Sequence, residues 1–226
     1  MFRAIIFDTE TTCIDSPEII EAAYVPVFDV ENLTMGDEFL QRYRPQGQIS
    51  LGAMATHHIL PLDLVDCPPS RDFTLPWGCR YLIGHNVDFD WRAAGSPEDI
   101  KRICTLALCR SLYPEADSHS LGAMMYLLFG EKARVYVKGA HSAMADVLMC
   151  RMILEHILDK RLNCSSFEEL WEASEGARIP KVMSFGKHKG SPIGEIPADY
   201  RRWLMGQPDL DPYLRTALNR AGEVRA

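Results

Sequence analysis

Short apolar runs broken by polar turns dominate the first part of the chain. Arg3-Ala4-Ile5-Ile6-Phe7 is apolar and partly β-branched, and it gives way at once to Asp8-Thr9-Glu10-Thr11-Thr12. That pattern predicts a first strand with polar side chains gathered at its end. Residues 20–28 and 38–43 read as two further strands with a turn near Asn32 and Gly36, so the first three form an antiparallel meander. Ser50 to His58 predicts a short capped helix, and the Pro-rich stretch 60–77 a connector. Residues 80–84 predict a fourth strand leading into a helix near 88–93. Residues 103–106 predict a fifth, followed by a helix through Ser111. Two helical stretches follow, 120–129 and 142–158. In the second, Ala145, Leu148, Met149, Met152, Ile153 and His156 fall at helical spacing and form a stripe for the core. Strands followed by helices predict an α/β layer fold with a mixed sheet. The composition changes near Ser174-Glu175-Gly176-Ala177, so a boundary is expected there, with one domain at 1–165 and a small C-terminal module at 178–226.

Composition narrows the class. With 226 residues, 47% hydrophobic and 24% charged, the chain has enough material for a full core and a small extra module. The longest apolar runs, such as Leu121 to Phe129, fall well short of the roughly 20 residues a membrane span needs. Acidic residues arrive at position 8, too early for a secretory signal. Seven scattered cysteines with no Cys-x-x-Cys pair point to reduced thiols and a cytoplasmic protein, not to a disulfide frame or a zinc site. The net charge of −7 is at first sight unfavourable for a nucleic-acid binder. It is unevenly spread, however: residues from Lys181 onward carry a net +3, and the first 180 carry −10. An acidic body can still meet a polyanion if divalent cations neutralise some of its acids.

Three motifs carry candidate chemistry. Asp8 and Glu10 are two apart on a strand and so share a face, where like charges repel and desolvation adds to the cost. A cation between them relieves both, and oxygen ligands suit Mg²⁺ or Mn²⁺. The plainer alternative is a solvated strand end. The second motif, Gly84-His85-Asn86-Val87-Asp88-Phe89-Asp90, sits at a strand-to-helix junction and offers two acids, between which the residues themselves do not choose. Its plainer reading is a helix N-terminus favouring Asp. The third, His141-Ser142-Ala143-Met144-Ala145-Asp146, places an imidazole just before a helix and a carboxylate in its first turns. A cap with a structural histidine would look the same.

Taken in order, Asp8-Thr9-Glu10-Thr11, His85-Asn86-x-x-Phe89-Asp90 and His141-x-x-x-x-Asp146 resemble the three exonuclease motifs of the DEDDh branch of the DnaQ-like 3′→5′ exonucleases. The resemblance covers roughly residues 1–160. A second set of residues, Ile49-Ser50-x-x-Ala53-Met54-Ala55-x-His57 and Ser184 through Leu204, extends it over nearly the whole chain, to a member of that family with a small C-terminal module. It implies an RNase H-like fold, a mixed five-stranded sheet flanked by helices. It also implies Asp90, not Asp88, as the acid of the second motif. The implied ligand set is Asp8, Glu10, Asp90 and Asp146 around two Mg²⁺ ions, with Mn²⁺ as a substitute. His141 is the implied general base, suited because an unperturbed imidazole titrates near pH 6.5.

Thr9, Thr11, His57 and Asn86 are expected to touch or frame the substrate. In the module, Gly186-Lys187-His188-Lys189-Gly190 offers Lys187 and Lys189 to phosphates, and Tyr200, Arg201, Arg202 and Trp203 offer stacking and charge to a single strand. The expected partner is DNA with a free 3′ end, single-stranded or duplex, cut to nucleoside 5′-monophosphates. An exoribonuclease and a catalytically silent nucleic-acid-binding module are the alternatives. All five catalytic positions are occupied, which weighs against the silent module. Oligomeric state is left open.

Overall fold

The structure, a computed structural model, describes residues 3–223. It divides into two compact units, Met1–Ser174 and Glu175–Ala226.

The first unit is built on a five-stranded sheet with the order β3-β2-β1-β4-β5. Its strands are β1 (Ala4–Thr11), β2 (Ile19–Val27), β3 (Phe39–Arg42), β4 (Tyr81–Gly84) and β5 (Lys101–Cys104). The first three pair antiparallel, as the expected meander requires, while β4 and β5 run parallel to β1. This is the mixed sheet of the RNase H-like fold. Central β1 is apolar on both faces at its start, where Ala4, Ile5, Ile6 and Phe7 are all at most 1% exposed. Phe7 stacks on Phe73 from the connector at 5.9 Å between ring centres. Helix α6 (Ala143–Lys160) packs against β1 and β2, burying Val147, Cys150, Ile153, Leu154 and Ile157. Around it lie α1 (Leu51–His57), α2 (Asp88–Ala93), α3 (Thr105–Leu112), α4 (Leu121–Phe129) and α5 (Ala133–Val137). Among the described residues no helix is long and apolar enough to cross a membrane.

Strand β1 carries Asp8, Thr9, Glu10 and Thr11 at its end, as expected, because β2 continues to pair with it there. One strand boundary differs from expectation, and a helix occupies the region of the expected domain boundary. Strand β5 ends at Cys104, and Thr105 opens α3 with its hydroxyl on the Gly84 carbonyl at 3.2 Å. A twelve-residue helix, α7 (Phe167–Arg178), runs through the expected boundary region, and the division between the units falls inside it.

The second unit holds α8 (Ala198–Met205) and α9 (Pro212–Glu223). Its own small core gathers Met183, Ile193, Ile196, Leu204, Leu214 and Leu218. Gly186 adopts φ +69°, and a Cβ there would stand 2.6 Å from the Tyr200 hydroxyl, so the loop before Lys187 requires glycine.

Candidate active site

Alternation along β1 sends Asp8 and Glu10 to the same face, the one covered by α6. Asp146 stands in the first turns of α6, and oxygens of Asp8, Glu10 and Asp146 lie within 4.8 Å of one another. Glu10 is buried, while Asp8 and Asp146 keep partial exposure, so the cluster is open to small solutes. Asp90 is not a member of that tight trio. It stands beside it, 4% exposed on α2, near enough to be the leading like-charge influence on Asp8.

The position of Asp90 follows from the sheet. Pairing between β1 and β4 ends at Ile6 and Ile83, so Thr9 has no partner on the β4 side of β1. Asp90 fills that vacancy: its Oδ1 accepts from Thr9 N–H at 3.0 Å and from Thr9 Oγ1–H at 2.7 Å. The turn that brings α2 so close depends on Gly84, where a Cβ would meet the Phe7 carbonyl at 3.0 Å and the Val87 Cβ at 3.2 Å. Asp88, the other acid of this motif, bonds to Arg102 at 2.7 Å. His85 braces the same junction. Its Nε2 faces the His119 carbonyl at 2.8 Å, which only accepts, so Nε2 carries the proton and Nδ1, 3.0 Å from Thr105 Oγ1, shares the single hydroxyl proton of Thr105 with the Gly84 carbonyl. Burial pulls this imidazole down to about 4, so it stays neutral.

His141 precedes α6 in a left-handed conformation, φ 65°, which a non-glycine residue adopts only under local constraint. The constraint is visible: its N–H donates to Asp146 Oδ1 at 3.3 Å. Its side chain is exposed, and its charge acts on Asp146.

Electrostatically the cluster is only partly compensated. Burial, followed by Asp90, Asp146, Glu10 and Glu21, pushes the Asp8 carboxyl well above its ordinary range. Burial and the neighbouring Asp146, Glu21 and Asp90 push Glu10 up to about 8. Asp90 is raised by burial, with the two Thr9 hydrogen bonds pulling the other way, and Asp146 is raised by burial against the His141 amide and charge. The leading charged groups acting on Asp8 and Glu10 are all carboxylates. An all-oxygen, over-negative, partly open set of this kind fits a hard divalent cation such as Mg²⁺ or Mn²⁺.

The expected substrate residues separate into groups. Thr9 spends both its hydroxyl and its amide on Asp90, so it organises the acid cluster. Thr11 is buried, with its hydroxyl on the Cys13 carbonyl at 3.1 Å. His57 is 7% exposed; its Nδ1 accepts from Ile59 N–H at 2.9 Å and its Nε2 is buried, so its ring serves the end of α1 and offers no nitrogen outward. Desolvation keeps it below its ordinary value. Asn86 is exposed at φ 75°, in the turn between β4 and α2. Lys187 and Lys189 are exposed in the second unit, beside a ring series in which His188 meets Tyr200 at 4.6 Å and Tyr200 meets Trp203 at 5.3 Å.

One residue of this neighbourhood escaped the reading of the motifs. Glu21 on β2 is 3% exposed, lies opposite Glu10 in the sheet register and acts on both Asp8 and Glu10. The available signal was a single acid inside the apolar run Ile19 to Val27.

Comparison with known families and structures bears on this arrangement. A family model described as Exonuclease, of the RNase T group, matches residues 5–154. Exonuclease X in complex with a 5′-overhanging duplex DNA is similar at 25% identity, over 74% of this chain and 99% of its own, with TM-score 0.55. The segments 49–57 and 184–204 resemble the same protein, exodeoxyribonuclease X. The zinc-bound complex of E. coli exonuclease I with single-stranded DNA is similar at 17% identity over 79% of this chain, TM-score 0.57. Its complex with a dA16 oligonucleotide is similar at 17% identity over 80%, TM-score 0.56. The chain spans less than half of exonuclease I, 43–44%, and that likeness shows the fold alone. No curated protein sequence matches.

Proposed function

Because the chain belongs to the RNase T exonuclease family, we propose that it removes nucleotides one at a time from DNA 3′ ends, releasing nucleoside 5′-monophosphates. The observation that carries this reading is the meeting of Asp8, Glu10 and Asp146 oxygens within 4.8 Å, with Asp90 held against them by Thr9. Asp8, Glu10, Asp90 and Asp146 are the residues that would hold two Mg²⁺ ions, with Mn²⁺ as a substitute. When bound, such a pair relieves the repulsion among the acids, polarises the attacking water and stabilises the departing 3′-oxygen.

The chain's own groups then have distinct tasks. His141, exposed beside the cluster, takes the proton of the attacking water on an imidazole nitrogen and passes it to solvent. The water oxygen bonds to phosphorus, the bond to the 3′-oxygen of the preceding nucleotide breaks, and that oxygen leaves as a new 3′-hydroxyl after protonation. Thr9 holds Asp90 in place through two hydrogen bonds to one of its oxygens. Asn86, exposed at the turn of the second motif, frames the same opening.

In the second unit, Lys187 and Lys189 take backbone phosphates, and Tyr200 and Trp203 offer faces to unpaired bases. Its net positive charge supports that assignment. All seven cysteines are unpaired, which supports a reducing, cytoplasmic setting. The test is digestion of end-labelled linear DNA with Mg²⁺. Mononucleotides should appear from the 3′ end and EDTA should stop their release. Cuts within a closed circle, or release from the 5′ end, would contradict the proposal.

A further inference from the structure

Helix α6 carries Asp146 and follows His141, so the placement of its first turn decides whether the acid trio closes. That turn lacks the usual local support. Ser142 is the N-cap residue, yet its side chain caps nothing, leaving the first amides in need of an outside acceptor. The acceptor comes from 122 residues earlier in the chain: Glu21 Oε1 takes the Ala143 N–H at 3.1 Å.

Glu21 is in turn rigidly held. It lies within β2, between Glu10 of β1 and Arg42 of β3 in the sheet register, and its Oε2 accepts from Arg42 Nε at 2.8 Å. This buried acid adds to the repulsion on Asp8 and Glu10, a cost an apolar residue would avoid. A carboxylate here is sustained by the Arg42 guanidinium and by the positive end of α6.

We propose that Glu21 is a positioning residue: it ties the N-terminus of α6 to the centre of the sheet, and so sets Asp146 against Asp8 and Glu10. The catalytic meaning of this tie rests on the exonuclease reading given above, whereas the tie itself concerns only the geometry of the acids. Ala143 lies three residues before Asp146 and two after His141, so losing the anchor displaces both of the groups on either side of it.

The test separates the acceptor from its charge. A Gln at position 21 would face the Arg42 donor with its own amide, so both variants carry Arg42→Leu. Glu21→Gln with Arg42→Leu keeps an acceptor for Ala143 and removes the charge; Glu21→Leu with Arg42→Leu removes both. Mn²⁺ binding, followed by electron paramagnetic resonance without DNA, is the first measurement. The Gln variant should bind within about threefold of wild type, and the Leu variant about 10-fold or more weaker, the usual scale for groups that orient ligands.

With DNA and Mg²⁺, kcat of the Leu variant should fall about 10–100-fold at unchanged KM, the scale of misplacing a catalytic group by about an ångström. Equal Mn²⁺ affinity in both variants overturns the positioning role. So does a loss confined to the unfolded fraction seen in thermal melts. Normal Mn²⁺ behaviour in a wild-type protein that hydrolyses no DNA would refute the exonuclease reading, while the Mn²⁺ comparison would still decide the anchor.

Discussion

Removing one negative charge from the acid cluster should make the metal-free protein more stable, and Glu10 offers the clearest measurement. Its carboxyl ordinarily titrates near 4.5 and is pushed to about 8 in the folded chain, by burial first and by Asp146, Glu21 and Asp90 after it. The folded state therefore holds a proton that the unfolded state gives up across that interval. Stability then falls as pH rises, because the unfolded state binds fewer protons. The favourable contribution is complete below about pH 4.5 and is lost as pH rises through about 8. Each unit of displacement corresponds to about 1.4 kcal/mol. Shared among interacting acids, the loss for this one group is about 3 kcal/mol between pH 5 and pH 8. In a unit of this size that is about 6–12 °C in Tm. Glu10→Gln cannot ionise, so it should flatten the profile and melt higher than wild type at pH 8 in EDTA. Mg²⁺ should raise the wild-type Tm at pH 8 and leave the variant nearly unmoved. Parallel profiles for the two proteins in EDTA, or a wild type that gains stability from pH 5 to pH 8, would refute the reasoning.

Three further outcomes are expected. Asp8→Ala should lower nucleotide release by about 10³-fold or more while the fold, read by circular dichroism, persists, since several kcal/mol of charge stabilisation depend on the site it builds; wild-type rates would remove Asp8 from the ligand set. His141→Ala should cut kcat by about 10²–10⁴-fold with KM for DNA and Mn²⁺ affinity little changed. A KM effect alone would make His141 a substrate contact. Lys187→Ala with Lys189→Ala should weaken DNA binding and flatten its dependence on log salt by about 1.4–1.8, two phosphate contacts' worth; an unchanged slope would leave the loop a structural element.

Much of the fold was legible because its signals are local. The apolar run into Asp8 and the β-branched stretch of β2 declare strands by periodicity, and Ser50 declares the start of α1, where its hydroxyl accepts from Ala53 N–H. The acids of the site were legible through the spacing of their motifs. Asp90 rather than Asp88 is what the resemblance implies, and the structure sets the two apart: Asp90 bonds to Thr9 beside the acid trio, Asp88 to Arg102.

The unread parts depend on distant partners. Residues 103–106 read as a strand, but Thr105 turns into a helix, its hydroxyl shared between the Gly84 carbonyl and His85. Helix α7 shows few apolar residues. It is stabilised by the Phe167 stack on Tyr81, by Glu168 bonding to Tyr81 and Lys101, and by Ser174 receiving the Cys104 amide. Thr9 and Glu21 take their roles from residues 81 and 122 positions away. No local pattern could show that His57 would turn both ring nitrogens inward.

The claim on which the rest depends is that the four carboxylates hold divalent cations together. Anomalous scattering from crystals soaked in Mn²⁺ tests it directly. Manganese peaks should lie among the side-chain oxygens of Asp8, Glu10, Asp90 and Asp146, and should vanish in Asp8→Ala. Peaks bound elsewhere, with the four acids empty at saturating Mn²⁺, would contradict it.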